Sequence, residues 1–255
     1  MFYKHVRLSK PDVSERGFAL REDQPVRVSV VVPTFQEGRY VGGLLEKLSE
    51  AGPNLETIVV DGGSTDDTVK VAEQFTDKVF VVNQRGIAVA KNFGARKSRG
   101  EVIIFLDTDV SPPSDFVDKT LGAFRDRRVV GATCNIMPLN PRVSEFVFFK
   151  FYNKLLQLMT MIRPHSRGEF LAVRKDALMK VGGFDEKLPC IEDHDLALRV
   201  SKLGKFCFIS DLCVYESMRR IRKSGLLNVL KMWTVDYVSY VLFRRTVSKV
   251  WVPVR

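Results

Sequence analysis

Residues 101–110 read EVIIFLDTDV. Five apolar residues, Val102 to Leu106, run without a break into two acids, Asp107 and Asp109. A short apolar run rich in β-branched and aromatic side chains is the pattern of a strand buried on both faces. Residues i and i+2 of a strand project to the same face. If the strand continues that far, Asp107 and Asp109 converge on one point. Two carboxylates that close repel, and one tends to take a proton unless a cation stands between them. An all-oxygen site of this kind suits magnesium or manganese, with waters and phosphate oxygens completing the shell. The same residues also read as a solvated turn ahead of Pro112 and Pro113, and D-x-D alone does not choose.

The construction repeats along the first half. VRVSVVVP (26–33), LETIVVD (55–61) and KVFVV (78–82) read as strands, and 39–52, 65–75 and 86–100 as helices. Alternating strands and helices predict parallel β-α-β units covered on both faces. Ligands of such sheets sit at the carboxyl ends of the strands. Every strand but the third ends there in a polar cluster: PTFQE, DGGSTDD and DTD. The second half is less regular. Helices are predicted at 113–124, 144–162, 175–185 and 195–204, and strands at 129–134, 170–174 and 205–210. A helix with interleaved aromatic and basic residues runs from Gly225 to Trp251. The fold class is therefore α/β, with a Rossmann-like, mainly parallel central sheet flanked by helices, a less regular second half and a C-terminal helix.

Composition bounds the function. The chain has 255 residues, 45% hydrophobic and 27% charged, which suits one large α/β domain and argues against disorder. No apolar run reaches the roughly 18 residues of a membrane span. The first 20 residues lack the apolar core of a signal peptide, so the chain reads as cytosolic. Cys134, Cys190, Cys207 and Cys213 show no C-x-x-C pair, and read as reduced core thiols. A net charge of +10 suits an anionic partner: nucleic acid, a phosphorylated substrate or a lipid surface. No nucleic-acid-binding motif accompanies the charge. The dinucleotide fingerprint G-x-G-x-x-G and the P-loop G-x-x-x-x-G-K-[ST] are both absent.

Two further acidic clusters stand out. In DGGSTDD the glycines permit close approach of a ligand to the backbone, and Ser64 or Thr65 suits a helix cap. Asp61 at the strand end suits hydrogen bonding to an N–H or a ribose hydroxyl. In CIEDHDLALRV (190–200), Glu192, Asp193 and Asp195 precede an amphipathic helix, where first-turn acids also serve the helix dipole.

The order VSVVVPTFQE, DGGSTDD, AKNFGARKSRGEVIIFLDTDV, GGFDE, EDHDLALR resembles the family 2 glycosyltransferases, which have the GT-A fold. The resemblance covers roughly residues 26–222. It implies three parts: an N-terminal arm (1–25), a GT-A domain (26–222) with an acceptor-binding second half, and a C-terminal amphipathic helical extension (223–255). It implies an inverting transfer of a sugar from a nucleotide sugar, UDP or GDP type, to a glycan or lipid-linked acceptor. Pro33, Thr34, Phe35 and Glu37 fall where such enzymes hold the nucleotide, with Phe35 suited to stack on the base. Asp61 falls on the acid that reads base or ribose. Asp107 and Asp109 fall on the D-x-D motif. Its second acid usually holds Mg2+ or Mn2+, and its first holds the ribose or a metal-bound water. Ala90-Lys91-Asn92 stands where many members carry A-R-N, so Lys91 keeps a charge for a phosphate or base contact but loses the planar fork. An exposed helix lysine is the other reading. Asp193 falls on the catalytic acid, the general base toward the acceptor hydroxyl. Glu192 and Asp195 then read as structural or donor-positioning. Gly168, Glu169 and Phe170 fall in the donor-sugar and acceptor segment. Arg219, Arg220 and Arg222 fall on a basic loop that closes over the diphosphate in some members, which suits Arg.

Transfer to a polyprenyl phosphate is the neighbouring reading, and it would need no proton removed by Asp193. A basic nucleic-acid- or membrane-binding module without catalysis is the reading from another class. The apolar, Lys- and Arg-edged stretches 144–164 and 225–255 suit helices lying at a membrane interface, on its cytoplasmic face, and equally suit a buried helix or a dimer face. Oligomeric state is not legible.

Overall fold

The computed structural model describes residues 27–52 and 55–248. The expected N-terminal arm and the last residues of the C-terminal extension lie outside the described residues.

β1 (Val28–Thr34), β2 (Leu55–Asp61), β3 (Val79–Val81) and β4 (Val102–Leu106) run parallel in the order β3-β2-β1-β4. Alternation along each strand sorts the side chains to two faces. Val28, Val30 and Val32 of β1, with Val102, Ile104 and Leu106 of β4, pack against the α1 (Val41–Glu50) residues Leu44, Leu45 and Leu48. Val31, Ile103 and Phe105 pack on the other face, against the α3 (Ile87–Lys97) residues Ala88, Ala90 and Phe93. The short α2 (Thr68–Ala72) links β2 to β3. Its predicted first turn is taken up by loop hydrogen bonds from Thr68 and Gly38 to Asp66.

Beyond β4 the sheet is mixed, although parallel pairs remain the majority across the sheet, as expected. β7 (Phe170–Arg174) runs antiparallel to both β4 and β6 (Val129–Pro138). β8 (Lys205–Glu216) is parallel to β6, and the two-residue β5 (Val110–Ser111) closes the edge antiparallel to β8. The reversal has a functional consequence. Leu106 at the end of β4 pairs with Phe170 at the start of β7. The chain entering β7 therefore lies at the same sheet edge as Asp107. Glu216, at the end of β8, pairs with Val110 just past the two acids.

Six helices complete the described residues: α4 (Phe116–Ala123), α5 (Val143–Ile162), α6 (Lys175–Lys180), α7 (Glu192–Val200), α8 (Arg219–Ser224) and α9 (Leu226–Phe243). α7 begins three residues earlier than its apolar periodicity suggests, so Glu192 and Asp193 form its first turn rather than a loop before it. β8 runs six residues past its predicted end. The predicted helix 225–251 stops at Phe243. Arg244 there adopts a left-handed conformation with φ of 55°.

Gly94 sets how closely α3 approaches the sheet. A Cβ there would lie 2.4 Å from Val31 Cγ1 and 3.2 Å from Val60 Cγ2. Gly94→Ala is expected to lower unfolding free energy, because overpacking typically costs about 1–3 kcal/mol while helix propensity returns only about 1. Urea unfolding checks this, and an unchanged or raised midpoint would contradict the packing account.

Candidate active site

The structure brings the acids of the sheet edge into two groups, each built around one buried cation. In the first, Lys91 extends from the middle of α3 and is fully buried. Its Nζ donates to Glu192 Oε1 at 2.9 Å and to Asp193 Oδ1 and Oδ2 at 2.7 and 2.8 Å. The Phe184 ring lies 5.4 Å from the ammonium. Asn92, the next residue, pins the loop carrying Phe184 by accepting from Phe184 N at 2.8 Å and donating to Phe184 O at 3.0 Å. Glu192 and Asp193 are presented by Ile191, whose φ of 66° is costly for a β-branched residue. Asp195 N donates to Ile191 O and closes the turn.

One ammonium between two buried carboxylates leaves one carboxylate easy to ionise and the other not, and the pair titrates together. Burial opposes ionisation of Glu192, but the Lys91 charge and hydrogen bond outweigh it and hold that carboxyl below its usual range. Burial and the adjacent Glu192 push Asp193 up to about 8, against the pull of Lys91.

The second group centres on Arg167, in the segment entering β7. Its Nη2 donates to Glu169 Oε1 at 2.6 Å and Glu216 Oε1 at 3.0 Å. The guanidinium lies within 6 Å of the Phe149, Tyr152 and Trp233 rings. Burial and the neighbouring Glu169 raise Glu216 well above the carboxylate range, against the pull of Arg167.

Gly168 sits between the groups. A Cβ there would meet Asp193 Oδ2 at 3.1 Å and Asp107 Oδ2 at 3.3 Å, so both carboxylates approach the space above the glycine. Asp107 and Asp109 themselves lie past the end of β4, which stops at Leu106. The strand alternation invoked for them does not apply, and a turn places them instead. Burial raises Asp107 well above its usual value. Lys91 opposes this, and Asp109, Glu169 and Asp193 add to it. Asp109 is also raised by burial, with Arg219 pulling the other way. Arg219 Nε donates to Asp109 Oδ2 at 2.9 Å, and its two terminal nitrogens hold Glu37 Oε1 and Oε2 at 2.8 and 2.9 Å. A guanidinium thus occupies the position of a cation beside Asp109. Among the described residues, no group of three or more His, Cys, Asp or Glu side chains is arranged to hold a metal ion. A metal at Asp107 and Asp109 would take its remaining oxygens from elsewhere.

Two connected hollows meet at these acids. A cleft of about 1200 Å³ is lined by Pro33, Thr34, Phe35, Glu37, Asp107, Asp109, Glu169, Arg219 and Arg220 among the expected residues. Arg85 also lines it and covers the Phe35 ring at 5.0 Å. A second cavity of about 340 Å³, between α5, α9 and the start of α7, is lined by Gly168, Glu192 and Asp193. Asp107, Glu169, Ile87, Pro189 and Trp233 line both.

Four expected site residues line neither hollow. Lys91 is neither an exposed helix lysine nor a phosphate contact, because the acid pair of α7 consumes all of its donors. Phe170 is a core residue of β7 with no exposed surface. Arg222 turns toward the start of α5 and donates to Asn140 O and Glu145 Oε2. Asp61 is fully buried. It accepts from Thr34 Oγ1, Gly63 N, Ser64 N and Ser64 Oγ, so in this structure it braces the loop rather than facing the cleft. Asp195 pairs with Arg199 and accepts from Tyr240 of α9. Sequence reasoning missed Arg167, Glu216, Trp233 and Tyr237. HSRGEF was noted as a segment, but nothing in its spacing singled out the arginine. Glu216 follows a strand predicted to end at residue 210.

The family model for Glycosyl transferase family 2 matches residues 29–182, and the chain belongs to that family. An uncharacterized glycosyltransferase of Haemophilus influenzae is 25% identical over 234 residues, covering 83% of this chain and 75% of that protein. The pre-mycofactocin glycosyltransferase of Mycobacterium tuberculosis is 30% identical over 191 residues, 69% of this chain and 39% of its own length. The chain spans less than two thirds of several of the curated relatives it matches. A mannosyltransferase from Pyrobaculum calidifontis, solved with GDP-Man and Mn2+, superposes with a TM-score of 0.64 at 23% identity, covering 82% of this chain and 64% of the other. The fold is that of the GT-A glycosyltransferases.

Lys91→Met would strip the cation from two buried carboxylates. Removing one partner of a buried ion pair typically costs about 3–5 kcal/mol. A matching loss of unfolding free energy is expected at neutral pH, and wild-type stability would contradict the arrangement.

Proposed function

We propose that this chain transfers a sugar from a nucleoside diphosphate sugar, UDP or GDP type, to an acceptor hydroxyl in one inverting displacement. The observation that carries the reading is the position of Asp193 in the smaller cavity, which shares Asp107 and Glu169 with a large cleft of mixed charge. The cleft suits the donor. Arg85 and Arg220 line it and suit a diphosphate, beside Arg219, which Asp109 and Glu37 hold in place. The cavity suits the acceptor, with Asp193 at its inner end.

Asp193 takes the proton from the acceptor hydroxyl as that oxygen forms its bond to the anomeric carbon. The bond from that carbon to the diphosphate oxygen breaks, and the nucleoside diphosphate departs with the electron pair. A carboxyl pushed up to about 8 is a stronger base than an ordinary aspartate, and it works only when ionised. Lys91 orients both of its oxygens and offsets the charge of Glu192. Asp107 and Asp109 fit a divalent cation, because burial raises both and a guanidinium already stands in for a cation at Asp109. Mg2+ or Mn2+ held there would neutralise charge on the leaving diphosphate.

A hydroxyl acceptor is favoured over a phosphate, because a hydroxyl must lose a proton and Asp193 lines the cavity as a base able to take it, whereas a phosphate oxygen needs no proton removed.

A thermal-shift panel of UDP- and GDP-sugars with and without Mn2+ tests the donor site. One donor class is expected to stabilise the chain in a metal-dependent way that Asp109→Ala abolishes. A metal-dependent shift surviving that substitution would refute the metal assignment. Asp193→Asn is expected to keep donor binding and lower kcat by about a hundred- to ten-thousandfold. For the wild type, kcat/KM should rise with pH until Asp193 is ionised, near pH 8, and a profile already flat at pH 6 would exclude it as the base. Gly168→Ala, which crowds Asp107 and Asp193, should lower kcat at least tenfold while the melting temperature stays close to wild type.

A further inference from the structure

We propose that the acceptor is an amphiphile, whose apolar portion lies in the cavity between α5 and α9 and which is drawn from a lipid surface that those helices face. The proposal rests on the transferase reading above and adds the chemical class of the acceptor.

The cavity wall carries the first argument. Tyr152, Leu156 and Met159 of α5 face Leu230, Trp233 and Tyr237 of α9 across it. Six large apolar or aromatic side chains are more than a free sugar needs. They suit a chain or ring system beside the attacking hydroxyl. The lining also has a polar part, Arg167, Glu169, Glu192 and Asp193, with His165 and His194 beside it. Burial holds both imidazoles neutral at physiological pH, His165 at about 4 and His194 at about 3. A ligand with a polar head and an apolar body suits both parts of this lining.

The outer surfaces of the same helices carry the second argument. α5 exposes Phe151, Met161 and Ile162, and α9 exposes Leu227, Leu242 and Phe243. Lys150, Lys154 and Lys231 are exposed along the same stretches. Apolar residues interleaved with cations suit an anionic membrane surface. No helix among the described residues is long and apolar enough to cross a membrane. The two helices that wall the cavity therefore present a face suited to lie on lipid, and an amphiphile leaving that surface would have a short path to Asp193.

Two titrations with the full chain test this. Decyl β-D-glucoside below its micellar concentration, compared with methyl β-D-glucoside, is expected to bind saturably and at least tenfold more tightly. Met159→Trp and Leu230→Trp, which fill the cavity from opposite walls, are expected to weaken decyl glucoside binding at least tenfold. Equal binding of the two glycosides, or decyl binding insensitive to both variants, would overturn the cavity assignment. In the second arm, the chain is floated with phosphatidylcholine vesicles with and without phosphatidylglycerol. Flotation with the anionic vesicles, lost in Phe151→Ser/Ile162→Ser, supports a lipid surface as the source. A chain that stays in solution at low salt, or that dimerises through this face instead, overturns that part. The donor thermal-shift panel, run on the same preparations, separates the two levels: donor binding without any preference for the decyl chain sinks the amphiphile alone, whereas no donor binding sinks the transferase reading.

Discussion

The ammonium of Lys91 between Glu192 and Asp193 is the contact on which the site depends. It joins α3, packed on the parallel half of the sheet, to the first turn of α7, about a hundred residues later in the chain. Without it the first turn of α7 would bring two carboxylates into a dry interior with no counterion. The left-handed Ile191 at the head of α7 carries a backbone cost. The buried ion contact contributes little net stability, since desolvation consumes most of the attraction. Its effect is specificity. One carboxylate is held as an anion and the other becomes a stronger base than an ordinary aspartate.

The same device occurs a second time around Arg167. Glu169 is held below its usual range and Glu216 above it, again with one cation between two acids. Both groups stand at the sheet edge where β4, β7 and β8 end or begin. This follows from the antiparallel insertion of β7. A wholly parallel sheet would have carried Gly168 and Glu169 to the opposite edge, away from Asp107. The mixed topology assembles acids from four distant segments, and the cations inside the cluster keep it from repelling itself apart.

Much of the parallel half was legible in the sequence. Unbroken apolar runs ending in PTFQE, DGGSTDD and DTD place three strand ends at one edge, and the residue order points to the family. What failed did so for identifiable reasons. Lys91 read as a surface or phosphate-binding lysine because its partners lie a hundred residues away, and no local pattern marks a buried ammonium. Arg222 and Phe170 sit in segments that do reach the site, but helix and strand periodicity turn their side chains away from it. Asp61 was expected to meet a ligand, yet two backbone amides and the Ser64 hydroxyl of its own loop, with the Thr34 hydroxyl from the end of β1, take up its oxygens. Glu216 was hidden because β8 carries a register shift between Cys134 and Asn135 of its partner, which extends pairing past the predicted end.

The most direct test of the central contact is a carboxylate titration followed by NMR on protein labelled with carbon-13 at the aspartate side-chain carboxyl. The account predicts an aspartate signal titrating near pH 8 that disappears in Asp193→Asn and whose midpoint moves when Glu192 is replaced by Gln. An Asp193 signal that titrates in the ordinary aspartate range, about 4, and ignores the loss of Glu192 would contradict it.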